Sequence, residues 1–215
     1  MPKQSKKQIT ALKAVEALKQ KYPEAKCSLN ADTPFQLLVA TRLSAQCTDA
    51  RVNMVTEKLF KKYQTLEDFA SARYDELCED IRSTGFFRNK AKNIILCARM
   101  LLDEYGGKVP DSMEELLRLP GTGRKTANLV LGDIFGKPAV VVDTHCIRLS
   151  KKIGLTKADT PEKIEYDLKK IIPPENQLRL CHQFVKHGRL VCTARSPKCE
   201  ICDIKHICCA YKKES

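Results

Sequence analysis

The sequence predicts an all-α fold, and three observations predict it. Apolar residues recur every three or four positions through most of the chain, the stripe of an amphipathic helix. Helix-opening pairs stand ahead of such stripes, as at Thr33-Pro34 and Thr160-Pro161, where a hydroxyl N-cap precedes a proline whose fixed φ suits the first helical turn. The run Val140-Val141-Val142 looks β-like but is too short to build a sheet, and reads as an extended, buried lead-in to a helix capped by Asp143.

Taken in order, the first helix is marked by Ile9, Leu12, Val15 and Leu18 and stopped by Pro23. The second follows Thr33-Pro34 with Phe35, Leu38, Val39 and Leu43 on one face. Three more are expected around Val52, Val55 and Leu59, from Leu66 to Ala70, and around Tyr74, Leu77, Cys78 and Ile81, with Gly85 as the stop. Asn89 is expected to cap a long helix with Ile94, Ile95, Ala98, Leu101, Leu102 and Tyr105 on its face, ended by Gly106-Gly107. Ser112 to Glu115 reads as a capping box opening a short helix that stops at Leu119-Pro120. Beyond a glycine turn comes a helix with Ala127, Val130, Leu131 and Ile134. Ile164, Leu168 and Ile171 follow Thr160-Pro161, and a last helix is expected from about Gln177 to His187, before a cysteine loop.

The chain has 215 residues, room for one large or two small domains, and 43% of them are hydrophobic, enough for a real core. Against 26 Asp and Glu stand 38 Lys and Arg, a formal net charge of +12. A charge of that size points to a polyanion, nucleic acid first, because cations placed near phosphates release condensed counterions. The start, Met1 to Lys7, has no apolar segment, and the aliphatic run Ala139 to Val142 is far short of the ~20 residues that span a bilayer. Secretion and membrane spanning are therefore not expected. Eleven cysteines is an odd number, and most lie in or beside helical segments without the spacing of a disulfide scaffold. A reducing cytoplasm fits that usage.

The segment Leu119-Pro120-Gly121-Thr122-Gly123-Arg124-Lys125-Thr126-Ala127 between two short helices has the pattern of a helix-hairpin-helix. Pro120 ends the first helix, while Gly121 and Gly123 are expected to take backbone angles that a β-carbon forbids and to let the chain approach a ligand closely. Backbone N–H groups of the turn and of the second helix then form a phosphate site, reinforced by Arg124. Lys125 stands at a helix start, where the positive pole of the macrodipole favours the neutral amine, so it is a candidate nucleophile as well as a candidate phosphate contact. Asp143 is a plain N-cap, a catalytic carboxylate, or both. The set Cys192-x6-Cys199-x2-Cys202-x5-Cys208 offers four thiolates from one loop, suited to a cubane [4Fe–4S] cluster or to Zn²⁺.

Together with Val142-Asp143-Thr144-His145 and Leu43-Ser44-Ala45-Gln46-Cys47-Thr48-Asp49, these motifs resemble the endonuclease III branch of the helix-hairpin-helix DNA glycosylases, over nearly the whole chain. The resemblance implies a bifunctional DNA glycosylase and AP lyase that removes oxidised or ring-saturated pyrimidines from damaged double-stranded DNA and cuts 3′ to the abasic site by β-elimination. It implies Lys125 as the Schiff-base nucleophile, Asp143 as the essential carboxylate, Gln46 as the residue entering the space left by a flipped base, and Asp49 in the base pocket. Gly121, Gly123 and Arg124 become DNA contacts. It also makes the four cysteines ligands of a [4Fe–4S] cluster, with Cys209 as an alternative register for Cys208. Phe86 stands where the family commonly has an aliphatic wedge, and is either an aromatic wedge or a core residue. The adenine-removing branch is similar too, but has Ser where Lys125 stands, a Glu close to Arg42, and an added C-terminal domain.

The family resemblance further implies two helical domains: residues 27–136 with the hairpin at about 112–135, and a discontinuous cluster domain of residues 1–26 plus 137–215. Lys125 and Asp143 are then expected on either side of the domain junction, in a monomer. Two other readings start from the same residues, a DNA-binding structural module and a redox-sensing regulator. The second lacks a clear recognition helix or dimer seam.

Overall fold

The computed structural model describes residues 4–211, and the charged start at Met1-Pro2-Lys3 lies outside them. Among the described residues every regular element is helical. In chain order these are α1 (Lys6–Lys21), α2 (Pro34–Leu43), α3 (Asp49–Lys62), α4 (Leu66–Ser71), α5 (Tyr74–Asp80), α6 (Phe87–Tyr105), α7 (Met113–Arg118), α8 (Arg124–Asp133), α9 (Thr144–Lys152), α10 (Pro161–Ile171) and α11 (Gln177–Leu190). The contacts divide the chain into two compact units, residues 27–136 and residues 1–26 with 137–215.

Side-chain caps start most of these helices. Thr33, Thr48, Thr65, Ser112, Asp143 and Thr160 each accept a backbone N–H three residues on, satisfying a donor that the first turn leaves unpaired. At Ser112 the expected box is only half made. The hydroxyl accepts the Glu115 N–H at 3.2 Å and donates to Glu115 Oε2 at 2.8 Å, so the carboxylate meets the side chain instead of the Ser112 N–H.

Three expectations need correcting. Asn89 does not cap α6; the helix begins two residues earlier, at Phe87, because Gly85 (φ 70°) and Phe86 (φ 49°) turn the chain straight into it from the 3-10 turn at Arg82–Thr84. Asn89 instead accepts from Asn93 one turn on. In α1 the buried face is Ala11, Ala14, Val15 and Leu18, while Ile9 is exposed, since a strict three-residue repeat drifts off a period of 3.6. The last helix runs on past His187 to Leu190 with Gly188 inside it, where a β-carbon would strike His145 and Arg148 of α9.

In the 27–136 unit α6 packs on α4 and α5, α2 packs on α3 and α8, and α7 pairs with α8. The core centres on Leu43, Leu59, Phe69, Ile81 and Ile94, all within 2% of full burial. Phe35, Phe60 and Tyr63 surround Phe69 with ring centroids 5.1–6.4 Å away, contacts that add to area burial. In the other unit α9 packs on α11, and α1 packs on α10 and α11, burying Leu18, Ile164, Leu168, Leu180 and Phe184. Residues Ala139 to Val142 run without regular structure and are buried throughout.

Candidate nucleic-acid interface and metal centre

The hairpin is α7, a turn at Leu119–Gly123, and α8. Thr122 N–H donates to the Leu119 carbonyl at 3.0 Å and closes the turn. The two glycines serve different ends. Gly121 is left-handed (φ 73°), and a β-carbon on it would sit 2.8 Å from Arg42 Nε and 3.0 Å from Asn93 Nδ2. Gly123 has an ordinary extended backbone (φ −101°, ψ 175°) and open space where a β-carbon would go. The expectation that both glycines need forbidden angles therefore holds for Gly121 alone. Gly123 is the N-cap of α8 and supplies no side-chain cap, so the first N–H groups of that helix are left for an external acceptor.

Arg42 braces this turn from inside. Only 6% exposed, it donates to the carbonyls of Pro120 and of Asn93 and to Thr122 Oγ1. Lys125 is the second residue of α8 and is exposed. Its ammonium makes no hydrogen bond or ion pair among the described residues, but its charge reaches Cys27. Burial pushes the Cys27 thiol up to about 11, with the Leu29 backbone bond opposing, Asp133 and Asp49 reinforcing, and Lys125 opposing. Asp49, the first residue of α3, accepts from the Ser28 hydroxyl at 2.5 Å. Lys125 and Asp49 thus share one electrostatic neighbourhood.

Gln46 (φ 54°) and Phe86 (φ 49°) are the two non-glycine residues of left-handed backbone among the described residues. Both are exposed, Phe86 at 69%, which excludes the core reading for Phe86. Each follows the end of a helical segment, Gln46 after α2 and Phe86 after the 3-10 turn at Arg82–Thr84. An L residue held there stores backbone strain, and surrounding structure must fix it.

Asp143 lies in the other unit as the N-cap of α9, its Oδ1 accepting the Cys146 N–H at 2.7 Å. Oδ2 takes no hydrogen bond among the described residues, so the carboxylate is fixed through one oxygen. Arg148, one turn into α9, donates to the carbonyls of Gly188 and Cys192 and so fastens the start of the cysteine loop.

Cys192, Cys199, Cys202 and Cys208 line a single pocket, together with Lys152, Lys198 and Lys205. Among the described residues no three His, Cys, Asp or Glu side chains converge on a position for one metal ion. Four thiols around one pocket match the ligand count of a cubane cluster, in which each iron takes one cysteine. The lysines suit the negative charge of a thiolate-bound cluster. Cys209 is exposed and is not part of this lining.

Sequence reasoning missed a neighbour of these ligands. His187 is fully buried, its Nδ1 3.2 Å from the Tyr22 hydroxyl and its Nε2 3.4 Å from Cys202 Sγ. Burial lowers its pKa to about 4, which favours the neutral ring. The tautomer protonated on Nε2 would accept from the Tyr22 hydroxyl at Nδ1 and point its N–H at the Cys202 sulfur, the outer-shell arrangement that orients metal ligands. The readable signal was the phase of His187 with Leu180 and Phe184 on the buried face of α11.

Residues 39–174 match the model of the HhH-GPD superfamily of base excision DNA repair proteins, and residues 192–208 match the iron–sulfur binding domain of endonuclease III. The chain is 51% identical to an endonuclease III from Synechocystis over 96% of its length and 94% of the relative's. It is 45% identical to the Bacillus subtilis endonuclease III, covering 87% and 86% of the two chains. Among solved structures, a non-covalent endonuclease III–DNA complex is similar at 44% identity and a TM-score of 0.91, covering 96% of this chain and 97% of that one. A trapped covalent endonuclease III–DNA intermediate has the same TM-score and identity.

Proposed function

Since the chain belongs to the endonuclease III family of base excision repair proteins, and is a DNA glycosylase and AP lyase with a [4Fe–4S] cluster, we propose that it excises oxidised or ring-saturated pyrimidines from duplex DNA and cuts 3′ to the resulting abasic site. The observation that carries this reading is an exposed lysine at the second position of α8, beside an uncapped helix start in a phosphate-binding hairpin. A purely electrostatic DNA contact does not require a lysine at that point of the dipole.

Backbone N–H groups at Gly123 to Thr126 and the Arg124 guanidinium hold a phosphate, which fixes register without reading sequence. Gln46 and Phe86 fill the space left by an extruded nucleotide, the amide replacing lost base hydrogen bonds and the ring stacking on neighbours. Asp49 lines the base pocket. Asp143 stabilises the positive charge that develops at C1′ as the base–sugar bond breaks and accepts a proton from the Lys125 ammonium. The Lys125 amine then attacks C1′, the electron pair of the C1′–N bond leaves with the base, and the base takes up the proton that the attacking nitrogen sheds; the nitrogen lone pair then forms the C1′=N bond as the C1′–O4′ bond breaks, and O4′ takes the proton held by Asp143. The resulting iminium acidifies the 2′-proton. Its removal sends that electron pair toward the iminium and expels the 3′-phosphate.

The cluster, held by Cys192, Cys199, Cys202 and Cys208, supplies cross-linking of its loop and no step of the reaction. No described helix is long and apolar enough to cross a membrane. The enzyme is proposed to act on cytoplasmic, nucleoid-associated DNA as a monomer.

Borohydride reduction on abasic duplex tests the nucleophile, because an imine is reducible and a salt bridge is not. Wild type is expected to give a covalent protein–DNA adduct. Lys125→Gln should abolish it while duplex binding persists. Efficient trapping and nicking by Lys125→Gln would move the chemistry to another amine. Asp143→Asn preserves shape and capping, and is expected to slow base release by about 100-fold or more.

A further inference from the structure

Lys90 is a lysine only 5% exposed that no step above uses. It lies in the first turn of α6, in phase with Ile94, Cys97 and Leu101 on the buried face. Its ammonium has three protons and three acceptors: the carbonyls of Leu43 at 2.9 Å, Ala45 at 2.9 Å and Thr84 at 2.8 Å. None of the three is a carboxylate, and the hydrogen bonds that hold the charge all go to backbone carbonyls at the end of α2, in the turn after it and at the end of the 3-10 turn. A buried ammonium is costly unless every donor is matched, and here every donor is.

The placement of those carbonyls gives the cation its meaning. Leu43 is the last residue of α2, and Ala45 immediately precedes Gln46; Thr84 ends the 3-10 turn and stands two residues before Phe86. One ammonium therefore ties together the stems of the two loops whose tips are the left-handed, exposed Gln46 and Phe86. Carbonyls at the ends of helical segments have no partner inside the helix, and Lys90 gives these stems a shared polar anchor above the core they both pack into. Burial depresses the pKa of Lys90 from the usual lysine value.

We infer that Lys90 is a positioning residue for strand insertion, setting the spacing and direction of Gln46 and Phe86 so that both enter the duplex at one extruded nucleotide. The inference rests on the proposed role of those two residues. It differs from a plain folding role in one respect: the loss should fall on base extrusion, and only as far as the two tips matter.

The experiment compares single-turnover excision of a damaged pyrimidine in duplex with cleavage at a preformed abasic site in single-stranded DNA, where nothing need be extruded. Lys90→Met keeps the length and removes the donors. Lys90→Gln retains two of them and serves as the second variant should Lys90→Met fold poorly, with circular dichroism as the check on folding. Duplex excision is expected to fall about ten-fold or more beyond any loss on the single-stranded site, as extrusion costs a few kcal/mol that the tips help to offset. In a Gln46→Ala/Phe86→Ala background the same Lys90 change should have no further selective effect. Equal losses on both substrates, or an undiminished selective loss in that background, would overturn the positioning role. Failure of the underlying reading shows separately, as Gln46→Ala/Phe86→Ala enzyme that excises from duplex at the wild-type rate.

Discussion

The hairpin unit and the cysteine loop hold their shape by opposite means. In residues 27–136, two buried cations, Arg42 and Lys90, donate to carbonyls at chain turns, Pro120 and the end of α2 among them, beside a core built on Phe69 and Ile94. In residues 192–208, the regular structure among the described residues is a pair of three-residue 3-10 turns, Cys199–Ile201 and Lys205–Ile207, neither with a buried residue. Nearby Ile204 is buried and Arg148 ties the Cys192 carbonyl to α9, and the cluster would supply the cross-links between the remaining stretches. One region stores its geometry in the polypeptide, and the other stores it in bonds to a ligand.

Loss of a cluster ligand should break this comparison most sharply. In Cys202→Ser protein, amides of residues 192–208 should exchange hydrogen almost as fast as in an unfolded chain, while core amides of α6 keep their protection. The brown colour of the wild-type protein should be lost with them. Equal loss of protection in α6 would show that the two regions are not independent. Retained protection in the loop would show that its chain carries more order than its two short turns suggest.

Gly121→Ala attacks the other region where its order resides. The substitution puts a side chain at φ 73° and within 2.8 Å of a buried guanidinium. A left-handed alanine costs about 1–2 kcal/mol before any clash, and Arg42 is held by three acceptors and cannot retreat freely. Stability should fall by roughly 2–4 kcal/mol by these terms, read as a lower denaturation midpoint with the cluster absorbance intact up to unfolding.

What the sequence reveals of these regions follows from the same difference. Helices with an in-phase apolar face and a hydroxyl cap, such as α2 and α10, are legible because local sequence determines them. The four cysteines are legible because metal ligation demands particular atoms at short spacing. The braces were not. Lys90 and Arg42 are ordinary cations by composition, and their roles depend on carbonyls 6 to 78 positions away. A lysine in phase with Ile94 and Cys97 was the available sign, and charge counting passes over it. Phe86 was ambiguous for a related reason. Whether an aromatic ring lies inside or outside is set by the left-handed turn at Gly85-Phe86, and that turn is fixed by tertiary contacts.

The smallest expected change in stability belongs to Gly123→Ala, and it sharpens the comparison by separating folding from function within five residues of backbone. A β-carbon at Gly123 meets no atom within 4 Å, and its φ of −101° is open to any residue. Glycine is a better N-cap than alanine by a modest margin, so stability should drop by about 0.5–1 kcal/mol. On the proposed phosphate contact, a methyl group there would push the phosphate away from the N–H groups of α8. Affinity for abasic-analogue duplex should therefore fall several-fold, with a shallower dependence on salt because one phosphate contact is lost. The adjacent Gly121→Ala should show the reverse balance, a large loss of stability and, in the fraction still folded, a smaller loss of affinity. Should Gly123→Ala bind as tightly as wild type with an unchanged salt slope, no phosphate approaches that nitrogen, and the hairpin's contact with DNA would have to run through Arg124 and the side chains of α8 alone.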